Sequence, residues 1–297
     1  MKPDNHLFNH LFNHLFSHLF NHPCIGLALG GGGARSLAHI GTLKVFEQTG
    51  IPVHRLTGAS MGGMIAAAYA FGLPLAKIES VAMRMANPRQ LIRLVDFAPF
   101  RRGVMAGKHV RQFITNIFGA ESTFADLHIP LALTATDLSR GQLVLLNEGS
   151  LVDAVLATCT IPGLWPPVRI GNTLLVDGGF YNNLPVDITR QMGADIVIAL
   201  DAAPHFPRQA INPDEEYQHP LPGPVPDFVE DFYQAMMILS DLLTHKQLEE
   251  APPDYIVRPI MADDISLVAF HRAKEIINAG EQAARLALPG ILEILGR

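Results

Sequence analysis

Short apolar runs alternate with longer amphipathic or Ala-rich segments from Ile25 to the end of the chain. The runs are typical of buried strands, whereas the longer segments carry the period of a helix. This interleaving predicts an α/β fold with three α/β/α layers around a mostly parallel central sheet. Strands are expected at 25–29, 53–57, 131–136, 142–146, 173–177, 195–200 and 255–259, and the longer helices at 34–48, 61–71, 150–158, 228–250 and 272–292.

Residues 1–23 break the pattern with a tandem four-residue repeat, HLFN. They lack the basic start and cleavage site of a signal peptide, and His and Asn interrupt any membrane span. The histidines at i, i+4 spacing suit a metal on a helix, and an arm for membranes or self-association is an alternative. A disordered low-complexity tail is the preferred interpretation. One domain is therefore expected over 24–297, with a Pro-rich loop at 203–227.

Two glycine-rich turns stand between predicted strands and helices near the start of this domain. The second, GASMG, places Ser60 between a short β-tolerant run and an Ala-rich helix. Glycines on both sides let the backbone turn sharply, so the serine is exposed at the sheet edge beside a helix N-terminus. A G-x-S-x-G pattern also occurs in ordinary turns, and the strand before it and the helix after it favour a nucleophile.

The first turn, GGGGAR, presents several consecutive backbone N–H groups that suit a phosphate or an oxyanion. Its spacing, from Gly31 and Gly33 to Ser36, is close to a dinucleotide-binding fingerprint. That fingerprint needs an acidic residue at the end of the second strand, and the chain has no aspartate between Asp4 and Asp96. An oxyanion hole that faces Ser60 is the better interpretation.

A serine nucleophile needs a base, and the segment TLLVDGG offers Asp177 at the end of a predicted strand. Open α/β folds place functional residues at the carboxyl ends of strands. An aspartate that only begins a turn is the common structural alternative.

The motifs GGGGAR, GASMG and VDGG, in this order, resemble the patatin-like phospholipase family. The similarity extends through SLVDAVLATCTIPGLWPPV and LLVDGGFYNNLP to the C-terminal segment PDYIVRPIMADDISLVAFHRAKEIINAGEQAA. It covers about 25–292. One departure is Ser36, which stands where the family's glycine loop ends in a further glycine. If that position needs a positive φ, Ser36 would distort the loop.

The resemblance implies a patatin-like fold and a serine lipid acyl hydrolase of the phospholipase A or lysophospholipase type. It implies a Ser60–Asp177 dyad in place of a triad, without a metal or cofactor. The substrate would be a phospholipid or another acyl-ester lipid. The amides of the glycine loop would form the oxyanion hole, namely those of Gly31, Gly32 and Gly33. The supporting residues would be Arg35, Gly58, Gly62, Gly178 and Gly179. For Arg35 the sequence leaves three roles open, namely an anchor of the loop, a contact with a lipid phosphate and a structural ion pair.

Charge and cysteine content constrain the partners and the compartment. A net charge of −6 argues against nucleic acid as a partner. Two cysteines, Cys24 and Cys159, imply no disulfide framework and fit a reducing, cytoplasmic compartment. The segment 84–111 contains seven Lys and Arg residues and only one Asp, with apolar residues between the charged ones. It suits a flap over a lipid site or a peripheral contact with the inner membrane surface, and equally a solvated surface helix.

Two alternatives to the dyad enzyme remain open from the sequence. One is a Ser-Asp-His α/β-hydrolase esterase whose base is one of His205, His219, His245 and His271. The other is a catalytically weak lipid-binding or regulatory module of the same fold, in which Ser36 has impaired the oxyanion loop.

Overall fold

A computed structural model describes residues 23–98, 103–205, 227–262 and 264–297, with only the backbone given for 227–234. Its strands within these ranges form one eight-stranded sheet. The strands are β1 (Ile25–Leu29), β2 (Arg55–Gly58), β3 (Leu131–Asp137), β4 (Gln142–Leu146), β5 (Val168–Ile170), β6 (Thr173–Asp177), β7 (Ile196–Leu200) and β8 (Tyr255–Val257).

The α-helices of the described ranges are α1 (Ala38–Thr49), α2 (Ser60–Ala70), α3 (Leu75–Met85), α4 (Pro88–Ile92), α5 (Lys108–Phe118), α6 (Leu151–Thr158), α7 (Val186–Gln191), α8 (Asp227–Glu250) and α9 (Ala273–Ile294). The helix predicted at 34–48 is divided into a 3₁₀ turn, Gly33–Leu37, followed by α1. The turn forms because Arg35 N–H donates to the Gly32 carbonyl, three residues back. Helices α3 and α5 were not predicted, and the strand predicted at 255–259 ends at Val257.

The strand order is β5-β6-β3-β2-β1-β7-β8, with β4 paired to β3. Five neighbouring strands, β3-β2-β1-β7-β8, are parallel, whereas β4 and β6 run antiparallel to β3. The predicted mostly parallel sheet is therefore confirmed, with an antiparallel extension at one side.

Side chains on the central strands alternate between two apolar layers, as the period of a strand requires. Leu27 and Leu29 of β1 point into a large core, and the intervening Ala28 joins a smaller one on the opposite face. Helices α1 and α9 pack together on the first face, and α7 contributes Val186 to the second. The three-layer α/β/α prediction is confirmed, because each face needs its own helices to exclude water.

Strands β2 and β6 lie end to end along one edge of β3. Leu133 of β3 pairs with Gly58 of β2, and Ala135 pairs with Asp177 of β6, while β4 occupies the opposite edge at both positions. Because β2 is parallel and β6 antiparallel to β3, their carboxyl ends face each other with one residue of β3, Thr134, between their last paired positions. This register brings Asp177 to the turn that follows β2.

Candidate active site

Ser60 lies in a sharp turn between β2 and α2. Its φ of 51° is the only positive value for a non-glycine residue among those described. Such a conformation costs about 1–2 kcal/mol, and surrounding structure must hold it. The flanking glycines permit this close turn: a Cβ at Gly62 would overlap the Gly30 carbonyl oxygen, and one at Gly58 would overlap the backbone of Gly63. The predicted strand-turn-helix context of Ser60 is present.

The Ser60 hydroxyl donates a 2.6 Å hydrogen bond to Asp177 Oδ2. The other carboxylate oxygen, Oδ1, accepts the Gly179 N–H at 2.8 Å. The backbone of Asp177 is held on both sides, since its N–H donates to Thr160 O and its carbonyl accepts from Thr136 Oγ1. The carboxylate therefore has one fixed orientation, toward Ser60.

Burial raises the pKa of Asp177 to about 6, although the hydrogen bonds from Ser60 and Gly179 act in the opposite direction. Desolvation dominates because the side chain is only 4% exposed and no described cation forms an ion pair with it. A carboxyl group with this pKa can accept and release a proton near neutral pH.

Two amides of the glycine loop have no hydrogen-bond acceptor among the described residues. The N–H groups of Gly30, Gly31 and Ala34 donate to Leu200 O, Asn183 O and Leu267 O. Within the described ranges, the N–H groups of Gly32 and Gly33 have no acceptor. The predicted donor set is thus corrected at Gly31, whose amide holds the loop against the Asn183 segment at 3.1 Å.

The loop passes very close to the serine. A Cβ at Gly31 would lie 3.0 Å from the Ser60 Cβ and would overlap the Asn183 side chain, so only glycine fits there. Gly33 has a φ of +54°, and a Cβ there would overlap the Leu267 carbonyl. These two positions fix the path of the loop beside Ser60.

Ser36 does not distort the loop. It lies in the 3₁₀ turn with no positive φ, is fully buried, and its hydroxyl donates to Gly30 O at 3.2 Å. His39 Nε2 contacts the same carbonyl at 2.8 Å. Burial lowers the pKa of His39 to about 4, so this histidine is neutral and acts as a donor to Gly30 O. The hydrogen bonds from Ser36 and His39 therefore hold the Gly30 carbonyl, at the start of the loop, in place.

Arg35 anchors the loop. Its Nε donates to Ala202 O at 2.9 Å and its Nη1 to Ile265 O at 3.0 Å. The guanidinium thereby ties the start of the 3₁₀ turn to the segments that follow β7 and β8. Of the three predicted roles, these two bonds to backbone carbonyls fit the anchor.

Two residues outside the predicted set complete the surroundings. Asn183 clamps the glycine loop, because its carbonyl accepts from Gly31 N–H and its Nδ2 donates to Gly31 O. Thr158 Oγ1 accepts the Ser60 N–H at 3.0 Å from the end of α6. Both contacts join segments more than 90 residues apart, and the sequence pattern carries no signal for them.

The remaining predicted glycines shape the turn after Asp177. A Cβ at Gly178 would overlap the Thr134 backbone, and one at Gly179 would lie 2.7 Å from Asn183 Oδ1. Ser240 of α8 donates to Gly179 O at 2.9 Å, so the helix also braces this turn.

No histidine in the described ranges hydrogen-bonds to Ser60 or Asp177. His205 instead contacts Asp201 and Asp241, and His245 contacts Asp241. His219 lies outside the described residues. Within those ranges, the geometry therefore contains a Ser-Asp pair and not the third member of a triad.

The basic segment 84–111 forms the end of α3, the short helix α4, a bridge between Phe97 and Met105, and the start of α5. Asp96 caps α5 by accepting N–H groups of Gly107 and Lys108. The segment attaches to the turn between α6 and β5, because Val104 N–H and Met105 N–H donate to Gly163 O and Leu164 O. Residues 99–102 of the predicted flap, including Arg101 and Arg102, lie outside the described residues.

The fold and the strained serine together define a three-layer α/β protein with a sharp strand-to-helix turn at Ser60. The family model for patatin-like phospholipase matches residues 27–190, more than half of the chain. The chain belongs to the patatin-like phospholipase family.

Relatives in animals and bacteria agree with this assignment. The human patatin-like phospholipase domain-containing protein 6 is 36% identical over 182 residues, 60% of this chain and 13% of that protein. Neuropathy target esterase sws of Drosophila melanogaster is 30% identical over 272 residues, 86% of this chain and 19% of that protein. An NTE family protein of Mycobacterium bovis is 31% identical over 180 residues, 60% of this chain and 49% of that protein. The chain thus spans at most about half the length of these relatives.

Among the described helices, none has both the length and the apolar composition needed to cross a bilayer.

Proposed function

We propose that this protein is a serine acyl hydrolase that cleaves ester bonds of phospholipids or related lipids. The observation that carries the proposal is the 2.6 Å hydrogen bond from Ser60 Oγ to the buried carboxylate of Asp177. Membership of the patatin-like phospholipase family supports the same reaction class.

In the proposed acylation, Asp177 takes the proton of the Ser60 hydroxyl as Oγ bonds to the ester carbonyl carbon. The carbonyl oxygen becomes an oxyanion, which the amides of Gly32 and Gly33 stabilise by about 3–4 kcal/mol per donor. The C–O bond to the alcohol then breaks, and Asp177 returns its proton to the leaving oxygen. An acyl-Ser60 intermediate remains.

Deacylation repeats these steps with water. Asp177 takes a proton from the water as its oxygen bonds to the acyl carbon, and the same amides hold the second oxyanion. The bond to Ser60 Oγ breaks, Oγ regains the proton from Asp177, and the fatty acid leaves. One carboxyl group serves both halves because its pKa is raised toward neutrality.

An apolar cavity lined in part by α2, the helix that begins at Ser60, supports an acyl-chain substrate. It is lined only by apolar side chains, among them Leu37, Met61, Met64 and Met85. Met61 and Met64 both follow Ser60 on α2, so the cavity lies along the helix that the serine begins. The cavity measures ≈ 40 Å³, and its methionines are flexible enough to widen around a hydrocarbon chain.

The surface of the segment 84–111 supports contact with a lipid aggregate. Ile92 is 67% exposed and Phe97 is 71% exposed. Arg89 and Arg93 are exposed beside them. Apolar side chains among cations suit the boundary of an anionic membrane.

We also infer that residues 24–297 form one catalytic domain, to which the tail contributes nothing essential. One core cluster contains side chains from Ile25 through Ile291, which supports a single unit. A variant that lacks residues 1–22 should retain the thermal transition and turnover of the full chain. Loss of turnover in that variant would assign the tail a role.

The proposed reaction is tested on p-nitrophenyl esters and a phospholipid panel with wild type, Ser60→Ala and Asp177→Asn. Both variants should lose at least about 10³-fold in kcat, the usual effect of removing a nucleophile or its base. Asp137→Asn is the matched control, because Asp137 is also buried at a strand end and instead pairs with Arg140.

A fluorophosphonate probe separates the remaining alternatives. Labelling of wild type at Ser60, lost in Ser60→Ala, supports a nucleophile. An active Asp177→Asn enzyme would indicate a different base, and single substitutions of His205, His219, His245 and His271 would then locate it. An unlabelled and inactive wild type would overturn the hydrolase in favour of a lipid-binding module.

A further inference from the structure

Two histidines and an aspartate meet on the side of α8, away from the Ser60–Asp177 pair. His205 follows β7, and Asp241 and His245 lie one turn apart on α8. Side chains at i and i+4 share a helix face, as in helical zinc sites. We propose that His205, Asp241 and His245 bind a first-row divalent transition-metal ion, for which Zn²⁺ is the probe.

The spacing of the three side chains suits tetrahedral coordination. His205 Nδ1 lies 3.0 Å from Asp241 Oδ1, and His245 Nδ1 lies 3.3 Å from the same oxygen. One donor atom from each residue falls within 4.8 Å of the others. Donors bound at about 2.0–2.2 Å in a tetrahedron are separated by about 3.3–3.5 Å. Both distances to Asp241 Oδ1 therefore lie within a few tenths of an ångström of this range.

The second nitrogen of His205 has the partner that a metal-bound imidazole requires. His205 Nε2 lies 3.0 Å from Asp201 Oδ2, a carboxylate that is 1% exposed and also accepts from Arg258 Nε at 3.0 Å. Metal-ligating histidines usually donate their other N–H to a carboxylate, which fixes the ring and its tautomer. This buried partner directs Nδ1 of His205 toward Asp241 and is independent of the three ligands themselves.

The His245 ring shows what ion binding would change. Its Nδ1 also lies 2.9 Å from the Asp241 carbonyl oxygen, a contact within the same helix turn. Ligation through Nδ1 would replace this weak helical contact. His205 and His245 side chains are about one-third exposed, so an ion and one water molecule can reach the site.

The proposed ion would join two segments that are far apart in sequence. It would connect the chain after β7 to α8, and α8 carries Ser240, which donates to the Gly179 carbonyl. Gly179 N–H in turn binds the Asp177 carboxylate. The ion would thus brace the turn behind Asp177 without contacting a substrate, and its role is positional.

The test is zinc binding by the full chain after dialysis against a chelator, with calorimetry and metal analysis. The tail carries five further histidines, a residue type that zinc accepts as a ligand, so the parent variant carries Asn at His6, His10, His14, His18 and His22. This parent should bind one Zn²⁺, and Co²⁺ in its place should give the visible absorption of a four-coordinate ion. Asp241→Asn and His245→Gln should each weaken binding at least about 100-fold, and Asp201→Asn about 10–100-fold.

His271→Gln, in a histidine outside the cluster, is the matched control and should leave zinc binding unchanged. Zinc should also raise the Tm of the parent and not that of Asp241→Asn. If Asp241→Asn fails to fold, Asp201→Asn and His245→Gln remain as independent tests. A parent that binds no zinc, or ligand variants that bind as tightly as the parent, would overturn the site and leave a His205–carboxylate ion pair. None of these readouts depends on ester hydrolysis, so the proposed function and the metal site can fail separately.

Discussion

Ser60 Oγ lies 2.6 Å from Asp177 Oδ2, and the carboxyl group it meets has its pKa raised to about 6 by burial. The proposed dyad needs this carboxyl ionised in the free enzyme, since only the ionised form accepts the serine proton. Because Asp177 both contacts Ser60 Oγ and has a raised pKa, the geometry of the site predicts a measurable pH dependence of activity.

We expect kcat/KM to fall as the pH decreases through about 6, because protonated Asp177 cannot act as a base. The measurement is a pH profile on a neutral, soluble ester. The decrease of kcat/KM on the acidic side should persist in His205→Gln and His271→Gln. His39 does not contribute to it, because its pKa is lowered to about 4 and the ring is neutral near pH 6. If this acidic decrease of kcat/KM disappeared in a histidine variant, the titrating group would be that imidazole and not Asp177.

Asp177→Asn should stabilise the fold above pH 6 while it removes activity. The pKa of Asp177 is higher in the folded chain than in the unfolded one. Its contribution to stability is therefore present below the unfolded value near 4 and is lost as the pH rises through about 6. Asparagine removes this penalty, of up to about 3 kcal/mol for a two-unit shift. Urea unfolding at pH 5 and pH 8 should show a larger gain at pH 8, and equal effects at both would contradict the assignment.

Gly33→Ala should reduce kcat by about 10²–10³-fold, the usual cost of losing one oxyanion donor. Its φ of +54° disfavours a side chain, and the new Cβ would displace the loop from Leu267 O. Gly141→Ala is the matched control, because Gly141 has a φ of +63° with open space around it. Initial rates and thermal melts of both variants check the result. A fully active, well-folded Gly33→Ala enzyme would remove Gly33 from the oxyanion hole.

Met64→Trp should shorten the acyl chains that the enzyme accepts. The larger side chain would fill the apolar cavity along α2 and prevent burial of several methylene groups, each worth about 0.8 kcal/mol. The ratio of kcat/KM for a long-chain ester to that for an acetate ester should fall about 10-fold or more, since 1.4 kcal/mol corresponds to tenfold. Met83→Trp, outside this cavity, should leave the ratio unchanged. An unchanged ratio in Met64→Trp would place the acyl chain elsewhere.

Replacing Ile92 and Phe97 with Ser should weaken sedimentation with anionic liposomes, because both side chains are largely exposed on the basic segment. Turnover of a soluble ester should remain near that of wild type. Leu138→Ser is the control, since Leu138 is 53% exposed at the turn after β3. Equal liposome binding by the double variant would favour a solvated surface for 84–111.

Local features of the chain determined the elements of the site. The strand-turn-helix around Ser60 follows from a short apolar run, two flanking glycines and an Ala-rich helix, all of which act within a few residues. Ser150 as the cap of α6 is a similar case, since its hydroxyl accepts the Asp153 N–H. Such features are predictable because their energies depend on neighbours in sequence.

Only the tertiary structure decided how these elements meet. Asp177 reaches Ser60 because β6 runs antiparallel to β3 and ends opposite β2, a register that depends on distant strand pairing. Likewise, the Gly31 N–H donates to the carbonyl of Asn183, a residue 152 positions later in the sequence. The sequence by itself determined which residues are suited to the chemistry. Their distances, their burial and the pKa of Asp177 arise from packing, because desolvation and long-range hydrogen bonds exist only once the chain has folded.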